Sequence, residues 1–177
     1  MKKNSFNRDL VVRRSPLDPR RGILQAGSLR LRCALGRSGI TIFKREGDGA
    51  TPRASMALVS AYRRSDRRSP VPALPTKIAR SNDGWCDAPL HAAYNRPVRL
   101  PWAASAESLW RADRLYDLIV VLDWNVRCRA RGRGSAIFLH ISRPGYLPTE
   151  GCVAVAPPDM VRLKPFLRPH TRLTVAA

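Results

Sequence analysis

Acidic residues are scarce in this chain: 13 Asp and Glu stand against 32 Lys and Arg in 177 residues, a net charge of +19. A field of that size draws a protein to polyanions such as nucleic acid, acidic membrane or an anionic cell wall. Long apolar runs are missing too. No stretch reaches the eighteen or so residues of a membrane-spanning helix. Met1-Lys2-Lys3 leads into the polar segment Asn4 to Arg14, not the apolar core of an export signal, so no signal peptide is visible. Aromatics make up only 7% of the chain, and the arginine-rich stretch Ser60 to Arg80 holds Tyr62 alone, too few for the stacking that binds single-stranded nucleic acid. Cys33, Cys86, Cys128 and Cys152 form no CxxC pair, which speaks against a zinc ribbon or dithiol redox site. They read as independent thiols, and no spacing selects a disulfide among Cys33, Cys86 and Cys128. The glycine-rich segment Lys44 to Arg53 lacks the GxxxxGK[ST] pattern of a phosphate cradle. No metal site is expected.

The length suits one domain with a sizeable core. Residues 1–80 carry +14 of the +19. Residues 1–21 mix seven Lys and Arg with two prolines and show no period, which predicts a disordered basic arm ahead of a domain over 22–177. Truncation of that arm should leave the fold intact. Ser28 to Leu35 alternates as a half-buried strand does, and Ile40 to Lys44, beyond the turn Gly36 to Gly39, suits a hairpin partner. The arginine-rich stretch reads as a solvated loop. Ala103 to Arg111 has a serine cap and an acidic first turn, predicting a short helix. Tyr116 to Leu122 is the most apolar run and reads as a central strand. Pro157 opens a helix that Pro165 ends, and Thr171 to Val175 adds a last strand. The sum is a mainly β, sandwich-like single domain with one or two short helices.

The chain is organised around Ile137 to Val155. A buried strand delivers His140, turn residues break it, and a second apolar run begins at Gly151-Cys152. A cysteine is nucleophilic as thiolate, and a nearby imidazole can take its proton and return it to a leaving amine. That pairing predicts Cys152 to be the most reactive of the four thiols. Gly151 lets backbone approach a bound carbonyl, so amides beside the sulfur suit an oxyanion.

His140 followed by Thr149-Glu150-Gly151-Cys152-Val153 resembles the catalytic signature of the L,D-transpeptidase (YkuD-like) family, a histidine ahead of a Ser/Thr-x-Gly-Cys-Val/Ile element. The glycine-rich loop closing in Thr51-Pro52 is similar to a second recurring element, with Ala54 where a glycine is usual. Ile141 and Ala154 stand where the family often has Gly and Arg. The resemblance implies a mostly β catalytic domain, Cys152 as nucleophile, His140 as general base and acid, peptidoglycan stem peptides as substrate, and no metal or organic cofactor. It also implies an anionic cell-wall setting in the periplasm or wall, whereas the absence of a visible signal leaves the cytoplasm open. Thr149, Trp85, Tyr94, Asn95 and Arg143 are its expected substrate contacts. The competing reading, from +19 and the basic arm, is a non-enzymatic nucleic-acid-binding or ribosome-associated protein.

Overall fold

The computed structural model describes residues 9–176. Its strands are β1 (Leu10–Arg14), β2 (Arg21–Ala26), β3 (Leu29–Ala34), β4 (Ile40–Thr41), β5 (Thr51–Pro52), β6 (Ser55–Arg63), β7 (Thr76–Ile78), β8 (Asp83–Cys86), β9 (Arg96–Arg99), β10 (Ala106–Ser108), β11 (Leu118–Leu122), β12 (Phe138–Ile141), β13 (Val153–Val155) and β14 (Arg172–Ala176). One α-helix, α1 (Pro157–Leu163), precedes a short 3-10 turn at Lys164–Phe166. The main sheet runs β11-β12-β13-β3-β2-β1-β14-β6-β7, and β11 also pairs with β6. That extra ladder closes eight strands into a barrel and leaves β7 as a flank, so the unpaired edges an open sheet would expose are removed.

Strand period two fills the barrel. Leu10, Val12, Leu24, Leu31, Met56, Leu58, Leu118, Val120, Leu139, Ile141, Val153, Val155, Leu173 and Val175 belong to one buried cluster, each strand giving alternate residues. Met160 and Leu163 of α1 and Leu167 beyond it join the same cluster. The alternate residues of β11 and β12, Ile119, Val121 and Phe138, face outward into a second cluster with Tyr62, Trp85, Leu109, Leu115, Tyr116 and Cys152. A three-stranded sheet, β10-β8-β9, carries Trp85 into this layer. β11 is therefore covered on both faces, and all five of its residues are buried, as its unbroken apolar run predicts.

Several expectations are overturned. The predicted disordered arm is not one over its described part: β1 pairs parallel with β14 and antiparallel with β2, and Leu10 and Val12 are fully buried. Residues 1–8 of that arm lie outside the described residues. The hairpin partner of β3 is β2, while β4 pairs parallel with β5; Gly36 to Gly39 lead the chain away from β3. The predicted helix over 103–111 is strand β10, which pairs with β8 through Ala106↔Cys86, Glu107↔Trp85 and Ser108↔Gly84, so a tertiary ladder overrides local propensity. The arginine-rich loop is partly buried. Arg64 lies over the Trp110 ring at 3.3 Å and pairs with Asp66, and Arg67 meets buried Asp117 at 2.9 Å. Ala54 does not take a left-handed conformation.

The role of β1 is testable. Leu10→Ala should cost about 2–5 kcal/mol of unfolding free energy, the usual range for emptying a fully buried leucine site, and removal of residues through Arg14 should abolish cooperative thermal unfolding. A truncated protein that melts like the full chain would show that the barrel closes without β1.

Candidate active site

β12 and β13 run parallel, with Leu139↔Val153, His140↔Ala154 and Ile141↔Val155 as partners. Successive side chains alternate, so Leu139 and Val153 fill the barrel while His140 and Cys152 fall on the outer side. Both line one cavity of about 510 Å³, together with Arg111, Tyr116, Glu107, Asp87, Ala136, Arg143, Thr149 and Glu150 among others.

The sulfur is held at two points. The Phe138 amide donates to Cys152 Sγ at 3.3 Å, and Sγ donates to the Ala136 carbonyl at 3.3 Å. Cys152 is 8% exposed, and burial pushes its thiol up to about 12, aided by the Glu107 carboxylate and opposed by the Phe138 amide. The buried imidazole of His140 is driven down to about 4, chiefly by desolvation, with the Ile141 carbonyl acting against that and the Arg111 guanidinium with it. The resting pair is a neutral thiol and a neutral imidazole. His140 Nδ1 lies 2.8 Å from the Ile141 carbonyl. A carbonyl only accepts, so Nδ1 carries the ring proton and Nε2 keeps its lone pair. The Tyr116 ring packs edge-on against the imidazole at 5.2 Å. Its hydroxyl bonds Glu107, whose carboxyl is raised by burial.

Gly151 has a φ of +134°, and a Cβ there would sit 2.8 Å from the Ala50 carbonyl oxygen. Its amide donates to Thr149 Oγ1 at 3.2 Å, and that hydroxyl donates to the Cys152 carbonyl at 2.7 Å. The glycine is thus required by the chain's own packing, and its amide is already engaged. The approach to the sulfur is strapped to the turn after β3: Thr149 N–H donates to Leu35 O at 2.9 Å, Arg37 N–H to Thr149 O at 2.8 Å, and Arg37 meets Glu150 at 2.8 Å.

The expected site residues separate into two groups. Cys152, His140, Thr149 and Arg143 line the cavity, with Gly151 beside it. Arg143 stands exposed on the rim. Trp85, Tyr94 and Asn95 do not line it. They are 4%, 2% and 1% exposed and lie behind the wall, where Trp85 Nε1 donates to Asn95 Oδ1 at 2.9 Å and the Tyr94 hydroxyl bonds Glu46. Their aromatic and amide character serves the core, which a sequence pattern of loop aromatics cannot distinguish from a groove lining. Glu107 and Arg111 escaped sequence reasoning because a helix was assigned where β10 stands, and Tyr116 because it reads as the first residue of the central strand; for Glu107 the only signal was one isolated acid in an otherwise apolar and small-residue run. Among the described residues no three His, Cys, Asp or Glu side chains converge as metal ligands. All four cysteines are free, Cys33 and Cys86 buried and Cys128 exposed.

Two outcomes follow from burial. A general alkylating reagent should modify exposed Cys128 before Cys152 in the resting protein, the reverse of the sequence expectation; mass mapping that finds Cys152 first would mean the thiol is already ionised. His140 binds its proton more readily when unfolded, near the ordinary value of 6.5, than when folded, near 4. Its contribution is therefore complete above about pH 6.5 and is lost as pH falls towards 4, a change on the order of 3 kcal/mol. His140→Gln should flatten that part of the melting-temperature profile, and an unchanged slope would exclude the buried imidazole as its source.

A family model described as the L,D-transpeptidase catalytic domain, YkuD, matches residues 18–175. Among solved structures, an L,D-transpeptidase from Mycobacterium smegmatis is 9% identical with a TM-score of 0.42, the match covering 96% of this chain and 59% of that one. The structure of Bdellovibrio bacteriovorus Bd1075 is 13% identical with a TM-score of 0.47, covering 99% of this chain and 50% of that one. The chain spans about half to three-fifths of the length of these structures. No curated protein matches. The extent of the family match, which includes the strand that carries His140 and the loop that carries Cys152, settles one point: the chain belongs to the YkuD family of L,D-transpeptidase catalytic domains.

Proposed function

We propose that this protein is a cysteine-dependent L,D-transpeptidase that transfers an acyl group of a peptidoglycan stem peptide through a thioester on Cys152. The observation that carries the reading is the joint placement of Cys152 Sγ and His140 on one cavity wall, with Nδ1 tied to a carbonyl so that Nε2 is the free base. The sulfur attacks the carbonyl of the residue before the terminal D-alanine, and its proton passes to His140. The imidazolium returns that proton to the departing amine, D-alanine leaves, and a thioester remains. An amine of a second stem peptide attacks the thioester and gives a cross-link; water in its place gives a shortened stem.

Burial sets the order of events. A thiol held near 12 and an imidazole near 4 disfavour a preformed thiolate–imidazolium pair, so proton transfer accompanies attack once substrate has filled the cavity and its carbonyl has begun to accept charge. The Phe138 amide, donating to Sγ, favours the anion as it forms. The rim guanidinium of Arg143 and the half-buried Arg111 suit substrate carboxylates. A peptidoglycan substrate places the working protein outside the cytoplasmic membrane; among the described residues no helix is long and apolar enough to cross one.

Purified muropeptides analysed by mass spectrometry test the reading. The wild type should release D-alanine and form cross-linked or shortened stems. Cys152→Ala and His140→Ala should each lower turnover by a factor on the order of 10³ or more, and the double variant should be hardly worse than either single one, because nucleophile and base act as a unit. Effects that multiply, or a wild type inactive on both tetrapeptide and pentapeptide stems, would reject it.

A further inference from the structure

Asn95 ties Trp85 of β8 to the stretch between Trp124 and Ala136. Its Oδ1 accepts from Trp85 Nε1–H at 2.9 Å and from the Ala136 amide at 3.1 Å, and its Nδ2 donates to the Trp124 carbonyl at 3.1 Å. The first two partners only donate and the third only accepts, so the amide orientation is fixed by its neighbours. Asn95 itself has a φ of +57°, in the left-handed region that asparagine tolerates better than most residues. Ala136 has a φ of +52°, which costs an alanine of order 1 kcal/mol and persists only where surrounding bonds enforce it. The carbonyl of that same Ala136 accepts the Cys152 thiol.

We infer that Asn95 is a positioning residue for the nucleophile: by pinning the Ala136 amide it holds a strained peptide so that the Ala136 carbonyl faces Sγ and keeps the thiol protonated and aimed until substrate arrives. The inference rests on Cys152 being the nucleophile. Its wall is built from one short stretch, since Ala136 supplies the acceptor for the thiol and Phe138 the donor to the sulfur. Trp85 stacks edge-on against Phe138 at 5.3 Å, so the same node braces both contacts. Losing the acceptor destabilises the protonated form only, and the thiol becomes easier to ionise. The sulfur also loses one of its two anchors, and attack geometry suffers.

The test uses the full chain in a Cys128→Ser background, so that the exposed thiol does not obscure Cys152. The readouts are the iodoacetamide alkylation rate of Cys152 at pH 9, followed by mass spectrometry, and kcat and KM on a tetrapeptide stem. Asn95→Gly keeps the left-handed backbone accessible and removes the side chain. It should raise the alkylation rate about tenfold, the equivalent of one lost hydrogen bond to the thiol, and lower kcat about tenfold with KM unchanged within about twofold. Trp85→Phe removes the other donor to Oδ1, keeps an aromatic edge towards Phe138, and should leave the alkylation rate as in the parent. Asn95→Asp keeps the acceptor for Ala136 and adds negative charge, and both effects oppose ionisation, so its rate must not rise. A general loosening of the wall would raise the rate in all three variants and overturn the inference. So would an unchanged rate in a folded Asn95→Gly. Should Asn95→Gly fail to fold, a raised rate in Asn95→Asp alone overturns it and an unraised rate with kcat retained supports it. Alkylation needs no muropeptide, so a wild type without transpeptidation would reject the enzymatic reading and leave the thiol result standing on its own.

Discussion

The parallel ladder between β12 and β13 is the constraint on which the site depends. Parallel neighbours require a crossover, and the chain between Ile141 and Val153 has to leave the sheet and return in the same direction. Because alternation is strict, a register of Leu139 against Val153 places His140 and Cys152 on the same outer face. A slip of one residue on either strand would turn one of them into the barrel. The register is held by the barrel side: Leu139, Ile141, Val153 and Val155 are core residues, so the free energy that packs the interior also fixes His140 and Cys152 on one outer face. The crossover is strapped down by Leu35, Arg37 and Thr149.

Burial of the pair has a consequence for chemistry. Hydrophobic covering by Phe138, Tyr116 and Leu115 stabilises the outer layer, and the same covering disfavours both the thiolate and the imidazolium. A site of this kind is quiet until a ligand supplies compensating charge and excludes water. The acids near the sulfur, Glu107 above all, deepen that quiet state, while Arg111 and Arg143 lie towards His140. Lys44 acts against those acids at the sulfur, and Asp113 against those guanidiniums at the imidazole, so both ends of the cavity carry mixed charge.

Much of this was readable from residues alone, and the failures have physical reasons. The run 116–122 identified the central strand, and His140 with Thr149-Glu150-Gly151-Cys152 pointed to two side chains that line one cavity, because both signals are local. β1 was missed because its pairing with β14 joins opposite ends of the described chain; two buried residues, Leu10 and Val12, flanked by basic side chains carry too little pattern to show it. β10 was read as helix because Ala, Ser and Glu suit a helix start, and only the ladder to β8 decides otherwise. Trp85, Tyr94 and Asn95 were assigned to substrate because polar aromatic loops line grooves as readily as they brace walls. Their burial, a tertiary property, separates the two.

Gly151 and Ala136 flank the sulfur in space and show two ways of holding backbone in a conformation that most residues avoid. At Gly151 the requirement is steric: the Ala50 carbonyl stands 2.8 Å from where a Cβ would be, and glycine meets it at the cost of chain entropy in the unfolded state. At Ala136 a side chain is tolerated, and the backbone amide of that residue donates to the side-chain oxygen of Asn95. The first solution is encoded in the residue itself and is visible next to the cysteine in sequence. The second is encoded forty-one positions away, in a residue that is fully buried and touches neither sulfur nor imidazole. On the inference drawn above, the placement of the Cys152 thiol depends on a residue outside the His140 to Cys152 segment, and substitution of Asn95 acts through the peptide that faces the sulfur.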